Sequence, residues 1–246
     1  MQRISSSDHE LPRVAIGFQP EFLDFERGIR VGNLEDNQRI TRILKLALED
    51  KYRQAFVTER WGRGVFWQWI GFLSRTNRSA MPLSSQVSFG CSKFFITVDT
   101  DEKLFKCGLQ VERGYVKGPK DYPQCELNSD WDWHRLVRGL KPSSLMEREL
   151  QRLVRREGFR VHAGGWDTGA SSFGKINLPD MRRLRKILNS APPDHWAGFQ
   201  VYYAMKKEVV RGFLGADLVD AMLAAFDEVA PLMNACMKIP LTAKPE

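Results

Sequence analysis

The sequence predicts an α+β domain: a central antiparallel sheet, including a hairpin near residues 93–112, flanked by amphipathic helices. Three observations carry this. Phe94, Ile96 and Val98 alternate with other residues, as do Phe105, Cys107, Leu109 and Val111 on the far side of the polar turn Thr100–Asp101–Glu102, which is the signature of paired strands. Helical periodicity stands both before and after that hairpin. No regular alternation of strands with crossover helices points to a parallel sheet.

Taken in order, residues 1–19 read as a loose arm and residues 20–246 as one α+β domain. Asn33 is a candidate cap, Glu35 and Asp36 suit the positive end of a helix, and Ile40, Ile43, Leu44, Ala47 and Leu48 form an apolar stripe to about Arg53. Trp61 to Ser74 holds three Trp and two Phe and fits a buried helix or a strand, since periodicity alone does not decide. The hairpin's polar positions, Lys106, Gln110 and Glu112, predict a sheet with one wet face. Residues 130–157 read as two helices separated by Gly139 and Pro142, the second opened by the capping pair Ser144 and Glu147. A short strand, Phe159 to His162, leads through a glycine-rich loop to a basic helix that begins at Pro179 and runs through Leu188. Phe199, Val201 and Tyr203 alternate as a further strand. The last helix carries Val219, Met222, Leu223, Phe226, Ala230 and Met233 on one stripe, with Pro231 expected to kink or split it.

Composition narrows the function classes. The 43% hydrophobic and 27% charged content suits a globular domain. Cys91, Cys107, Cys125 and Cys236 lie far apart, without the spacing of a zinc site or a disulfide framework, and read as reduced, mostly buried thiols. Met1 to Arg13 lacks the apolar stretch of a secretory signal, and Gly64 to Ser74 is about half of the ~20 residues that span a bilayer. The expectation is a soluble, cytoplasmic protein without a membrane partner. The formal charge of +7 is unevenly spread: residues 1–60 balance ten basic against ten acidic side chains, whereas Trp133 to Arg160 holds eight basic and three acidic ones.

The layout resembles a family of conserved bacterial proteins of unknown function. The residues that carry the likeness are the helical start, the hairpin ending in Val111, Glu112, Arg113 and Gly114, and the Ala230–Pro231–Leu232 break in the last helix. A family without a known activity implies a fold and no more.

Four constellations bear on chemistry. Gly169 to Lys175 (GASSFGK) has phosphate-loop spacing, but Ile176 stands where a Ser or Thr is needed, so no nucleotide cofactor is expected. Asp101, Glu102 and Lys103 echo an acidic nuclease element, yet turn chemistry accounts for them. Asp130, Asp132 and His134 would share one face of a strand, or bring Asp130 and His134 together on a helix, and so offer the start of a divalent-metal site for a hydrolase or nuclease. They equally suit a helix start. Finally, Arg148, Arg152, Arg155 and Arg156 are expected opposite an apolar face of Met146, Leu150, Leu153 and Val154, and Arg182, Arg183, Arg185 and Lys186 form a second cluster. Guanidinium forks match phosphate geometry, so the leading expectation is a non-catalytic binding or accessory module for nucleic acid or another polyanion.

Overall fold

The computed structural model describes residues 17–84 and 88–242. Its nine strands form one antiparallel sheet. They are β1 (Leu23–Asp24), β2 (Gly28–Arg30), β3 (Phe56–Arg63), β4 (Phe66–Ser74), β5 (Lys93–Asp99), β6 (Leu104–Gly114), β7 (Arg160–Gly165), β8 (Ser171–Phe173) and β9 (Ala197–Lys206). Hydrogen bonding orders them β3, β4, β5, β6, β9, β7, β8, while the β1–β2 hairpin pairs with the start of β4 on the edge that β5 occupies further along.

The predicted hairpin is β5–β6, with Phe94 opposite Leu109, Ile96 opposite Cys107 and Val98 opposite Phe105. These residues face one large core with α1 (Ile40–Tyr52), α3 (Trp133–Gly139), α4 (Leu145–Arg155), α5 (Met181–Ser190) and α7 (Gly215–Cys236). Two short helices, α2 (Arg75–Ser79) and α6 (Lys207–Arg211), complete the set. At the centre Phe226 of α7 stacks on Phe94, ring centroids 4.8 Å apart. None of the described helices is long and apolar enough to cross a membrane.

Several elements differ from the sequence expectation. The loose arm lies mostly outside the described residues, but Phe18 is buried and meets Phe22 edge to face at 5.9 Å, so packed structure begins before residue 20. Helix α1 starts at Ile40 and not near Asn33, whose φ of 53° places it in the left-handed region and breaks any earlier helix. Trp61 to Ser74 resolves as the end of β3, a turn and β4. A bulge between Trp61 and Gly62 shifts the register there, which is why simple alternation did not identify the segment. Helix α7 continues through Pro231 without splitting. Part of the glycine-rich loop is strand: within the GASSFGK segment Ser171, Ser172 and Phe173 pair with β7.

Candidate functional site

Helix α5 is capped by Asp180, whose Oδ1 accepts from the Arg183 N–H at 2.8 Å. Met181, Leu184 and Leu188 form its buried face, spaced at one and two turns. This leaves Arg182, Arg183, Arg185 and Lys186 exposed together, and among the described residues none of the four makes an ion pair. Arg182, Arg185 and Lys186 line a shallow hollow of about 410 Å³ together with Asn189 and Ser190.

Helix α4 is built by the same logic. The Ser144 Oγ accepts from the Glu147 N–H at 3.2 Å, and the Glu147 carboxylate reaches back to the Ser143 N–H at 2.6 Å, which completes the expected cap one residue earlier than the standard pattern. Arg148, Arg155 and Arg156 are exposed, as predicted from the helical wheel. Arg152 is not. Its guanidinium lies 3.0 Å from Glu149 and donates to both the carboxylate and the backbone carbonyl of Glu228 on α7. Partial burial works against its charge, but the two glutamates more than compensate and raise its pKa. Arg152 is thus a strut between α4 and α7, and the exposed arginines of this helix are the other three.

Beside the hollow, and sharing Asn189 with it, a cleft of about 430 Å³ opens between α3 and the end of α5. Its apolar lining includes Trp133, Val137 and Leu188, its basic lining is Arg113, His134 and Arg138, and no carboxylate lines it. Sequence reasoning placed His134 near a site but missed Arg113 and Arg138. The β6–β9 register slips between Glu112 and Gly114, so Arg113 stands at the irregularity without a cross-strand partner. Gly114 permits this with a φ of 64°, where a Cβ would also meet the Cys125 carbonyl oxygen at 2.3 Å. The Arg113 guanidinium donates to the carbonyls of Ala191 (2.7 Å), Pro192 (2.5 Å) and His195 (2.5 Å) in the loop between α5 and β9. Burial draws its pKa down with no carboxylate to raise it again.

The acidic triplet is drawn into other work. The Asp130 carboxylate accepts from the Leu83 N–H at 3.0 Å. Asp132, completely buried, accepts from Asn77 Nδ2 (2.9 Å), the Ser92 N–H (2.7 Å) and the Lys238 N–H (3.2 Å), tying α2, the approach to β5 and the chain after α7 to the start of α3. The His134 Nε2 lies 3.1 Å from the Asn128 carbonyl oxygen. Among the described residues no three His, Cys, Asp or Glu side chains come together to hold a metal, and this triplet does not converge. The reason is local: residues 129–132 form a turn, so neither the strand nor the helix geometry that would align them exists. The Asp101–Glu102–Lys103 element is likewise a turn, closed by Asp99 Oδ1, which accepts from the N–H groups of Asp101 and Glu102 at 3.0 and 2.9 Å.

The opposite face of the sheet, free of the main helices, holds a buried polar network. Lys93 Nζ is 2.6 Å from both Glu59 and Glu112, and Gln110 Oε1 accepts from Trp69 Nε1 (3.0 Å) and Gln200 Nε2 (2.6 Å). All four cysteines are free and buried, and desolvation raises the Cys107 thiol to about 12, so none is poised as a nucleophile. Comparison of the chain with protein-family models, with curated proteins and with solved structures gives no match.

Proposed function

We propose that the protein is a non-catalytic binding or accessory module that holds nucleic acid across the surface formed by α5, the exposed arginines of α4 and the α3–α5 cleft. The observation that carries this reading is the company these cations keep. Elsewhere many basic side chains are neutralised locally, as Lys51 is by Asp227, Lys106 by Asp99 and Arg152 by Glu228. Arg182, Arg183, Arg185 and Lys186 have no such partner; three of them, Arg182, Arg185 and Lys186, line a hollow that shares Asn189 with the cleft, and no carboxylate lines either. Summed positive potential over adjoining concave surfaces draws in phosphate, and guanidinium forks hold it.

The test is fluorescence anisotropy of labelled single-stranded and duplex DNA and RNA over a salt series. Log affinity should fall linearly with log salt, and Arg182→Glu with Arg185→Glu should lower the slope by roughly 0.9 per lost duplex contact and weaken binding on the order of tenfold or more. Absence of binding by the parent at low salt, or binding by the double variant equal to the parent's, overturns the reading. Competition by heparin with the same loss in the variant, but no binding of any nucleic acid, would replace nucleic acid by another polyanion.

A further inference from the structure

We infer that the α3–α5 cleft, with Arg113 and Arg138 as its anchors, is a subsite for a phosphate monoester. This rests on the polyanion reading for its context but on separate residues for its chemistry.

Arg113 is 3% exposed, so its guanidinium has left bulk water. The molecule's other deeply buried cation, Lys93, has two carboxylates within 2.6 Å. Arg113 has none: its Nε donates to the Gly114 carbonyl (3.3 Å), and its other acceptors are also backbone carbonyls. The acidic residues about this loop, Asp194 within it and Asp167, both pair with His195, at 3.9 and 2.9 Å, and neither pairs with Arg113. A guanidinium has five N–H groups, and four acceptors leave one Nη1 N–H without a protein partner. All four acceptors are neutral carbonyls, so the guanidinium keeps its positive charge on a residue that lines the cleft.

Arg138 brings a full charge to the same cleft, and its Nε donation to the His134 carbonyl at 3.2 Å leaves the Nη groups available. Two guanidiniums match a phosphate monoester, which carries about −1.5 to −2 near neutral pH, better than the single charge of a diester. A volume of about 430 Å³ is on the scale of small-ligand pockets, with Trp133 and Val137 beside the charges to receive the carbon framework that bears the phosphate. Asn189 joins this cleft to the Arg182–Arg185–Lys186 hollow, which gives a strand with a phosphorylated end a continuous path.

The experiment compares one single-stranded oligonucleotide carrying a 5′-phosphate, a 3′-phosphate or only hydroxyl ends, by anisotropy in the full chain. A phosphorylated end should bind roughly tenfold tighter, the scale of one added charge-assisted hydrogen bond. Arg138→Ala should bring it down to the hydroxyl-ended level, and Arg113→Lys, which keeps the charge but loses the fork, should do the same. Circular dichroism reports whether Arg113→Lys folds; if it does not, Arg138→Ala decides. A second arm follows the melting temperature with inorganic phosphate and with a nucleoside monophosphate. A rise that Arg138→Ala abolishes, without any oligonucleotide binding, supports the subsite for small phosphates and removes the nucleic-acid reading. Equal affinity for phosphorylated and hydroxyl ends, with no phosphate-dependent melting shift, overturns the subsite and leaves the nucleic-acid reading standing.

Discussion

Lys93 is completely buried, and what makes that tolerable is the pair of carboxylates, Glu59 and Glu112, each 2.6 Å from its Nζ. Removing the cation leaves two acids facing each other out of water, so Lys93→Met is expected to cost ~3–5 kcal/mol, read from urea midpoints. The same cluster sets a pH dependence. Burial pushes the Glu112 carboxyl above its ordinary 4.5, Lys93 opposes and Glu59 adds to the push. A folded pKa above the unfolded one means that the folded state keeps the proton longer, so this contribution is full below about pH 4.5 and is lost as pH rises through the folded value. Glu112→Gln should therefore flatten the decline in stability as pH rises above about 4.5; an unchanged slope would assign it to other groups. At this scale sequence alternation identified Glu112 and Gln110 as facing away from the apolar core, but not that they are buried. Nor could it find Arg113, because the cleft and the carbonyls that receive its side chain come from α3, the end of α5 and the loop before β9, which lie far along the chain. The Asp130–Asp132–His134 pattern misled for a related cause: alternation has meaning only where the backbone is extended, and these residues sit in and beside a turn.

Helices were the more legible elements, since a cap and an apolar stripe are local properties. The Ser144–Glu147 cap and the stripe of α4 stand where periodicity put them, and the basic helix expected from Pro179 through Leu188 is α5, two residues later at each end. What a helical wheel does not contain is the neighbouring helix. The wheel puts Arg152 opposite the α4 stripe, and only the approach of α7, with Glu228, turns it from a free cation into a strut. Arg152→Glu would set a third carboxylate beside Glu149 and Glu228 and should lower stability by ~2–4 kcal/mol, whereas Arg155→Glu with Arg156→Glu should stay within about 0.5 kcal/mol per site. Thermal melts of the two variants make the comparison, and equal shifts would mean that the strut carries no stability. The stripe of α7 was equally legible in part: Phe226 is fully buried and Leu223 only partly so. Because Phe226 stacks on Phe94 and approaches Phe72 at 6.3 Å, Phe226→Ala should cost ~3–5 kcal/mol in the same assay. Strands were less legible where they twist or pair briefly. The β3–β4 bulge hid one, and β8 is three residues long inside a glycine-rich stretch.

For the whole molecule, the question is whether 246 residues unfold as one unit. Chains beyond ~150 residues commonly populate intermediates, so length alone argues for more than one step. The core argues otherwise. One apolar cluster runs from Phe18 before β1 to Leu241 after α7 and includes residues of all five long helices, while the central strands are joined through pairings that bring distant parts of the chain together, such as β6 with β9. Asp132, with Asn77, adds a polar tie between α2, the approach to β5, α3 and residues 238–239, so the chain after α7 shares contacts with the first half of the fold. An interruption of cooperativity would need a seam, and among the described residues only the small cluster of Leu73, Met81 and Cys91 stands apart from the main core. Tryptophans report on both halves of the sheet, Trp67 and Trp69 on β4 and Trp166 and Trp196 beside the β7–β9 end. Urea unfolding followed by tryptophan fluorescence and by far-ultraviolet circular dichroism should therefore give one coincident transition. Two separated midpoints, or a fluorescence change that Trp67→Phe with Trp69→Phe moves to a different midpoint, would show that the β1–β4 end melts independently of the β6–β9 end.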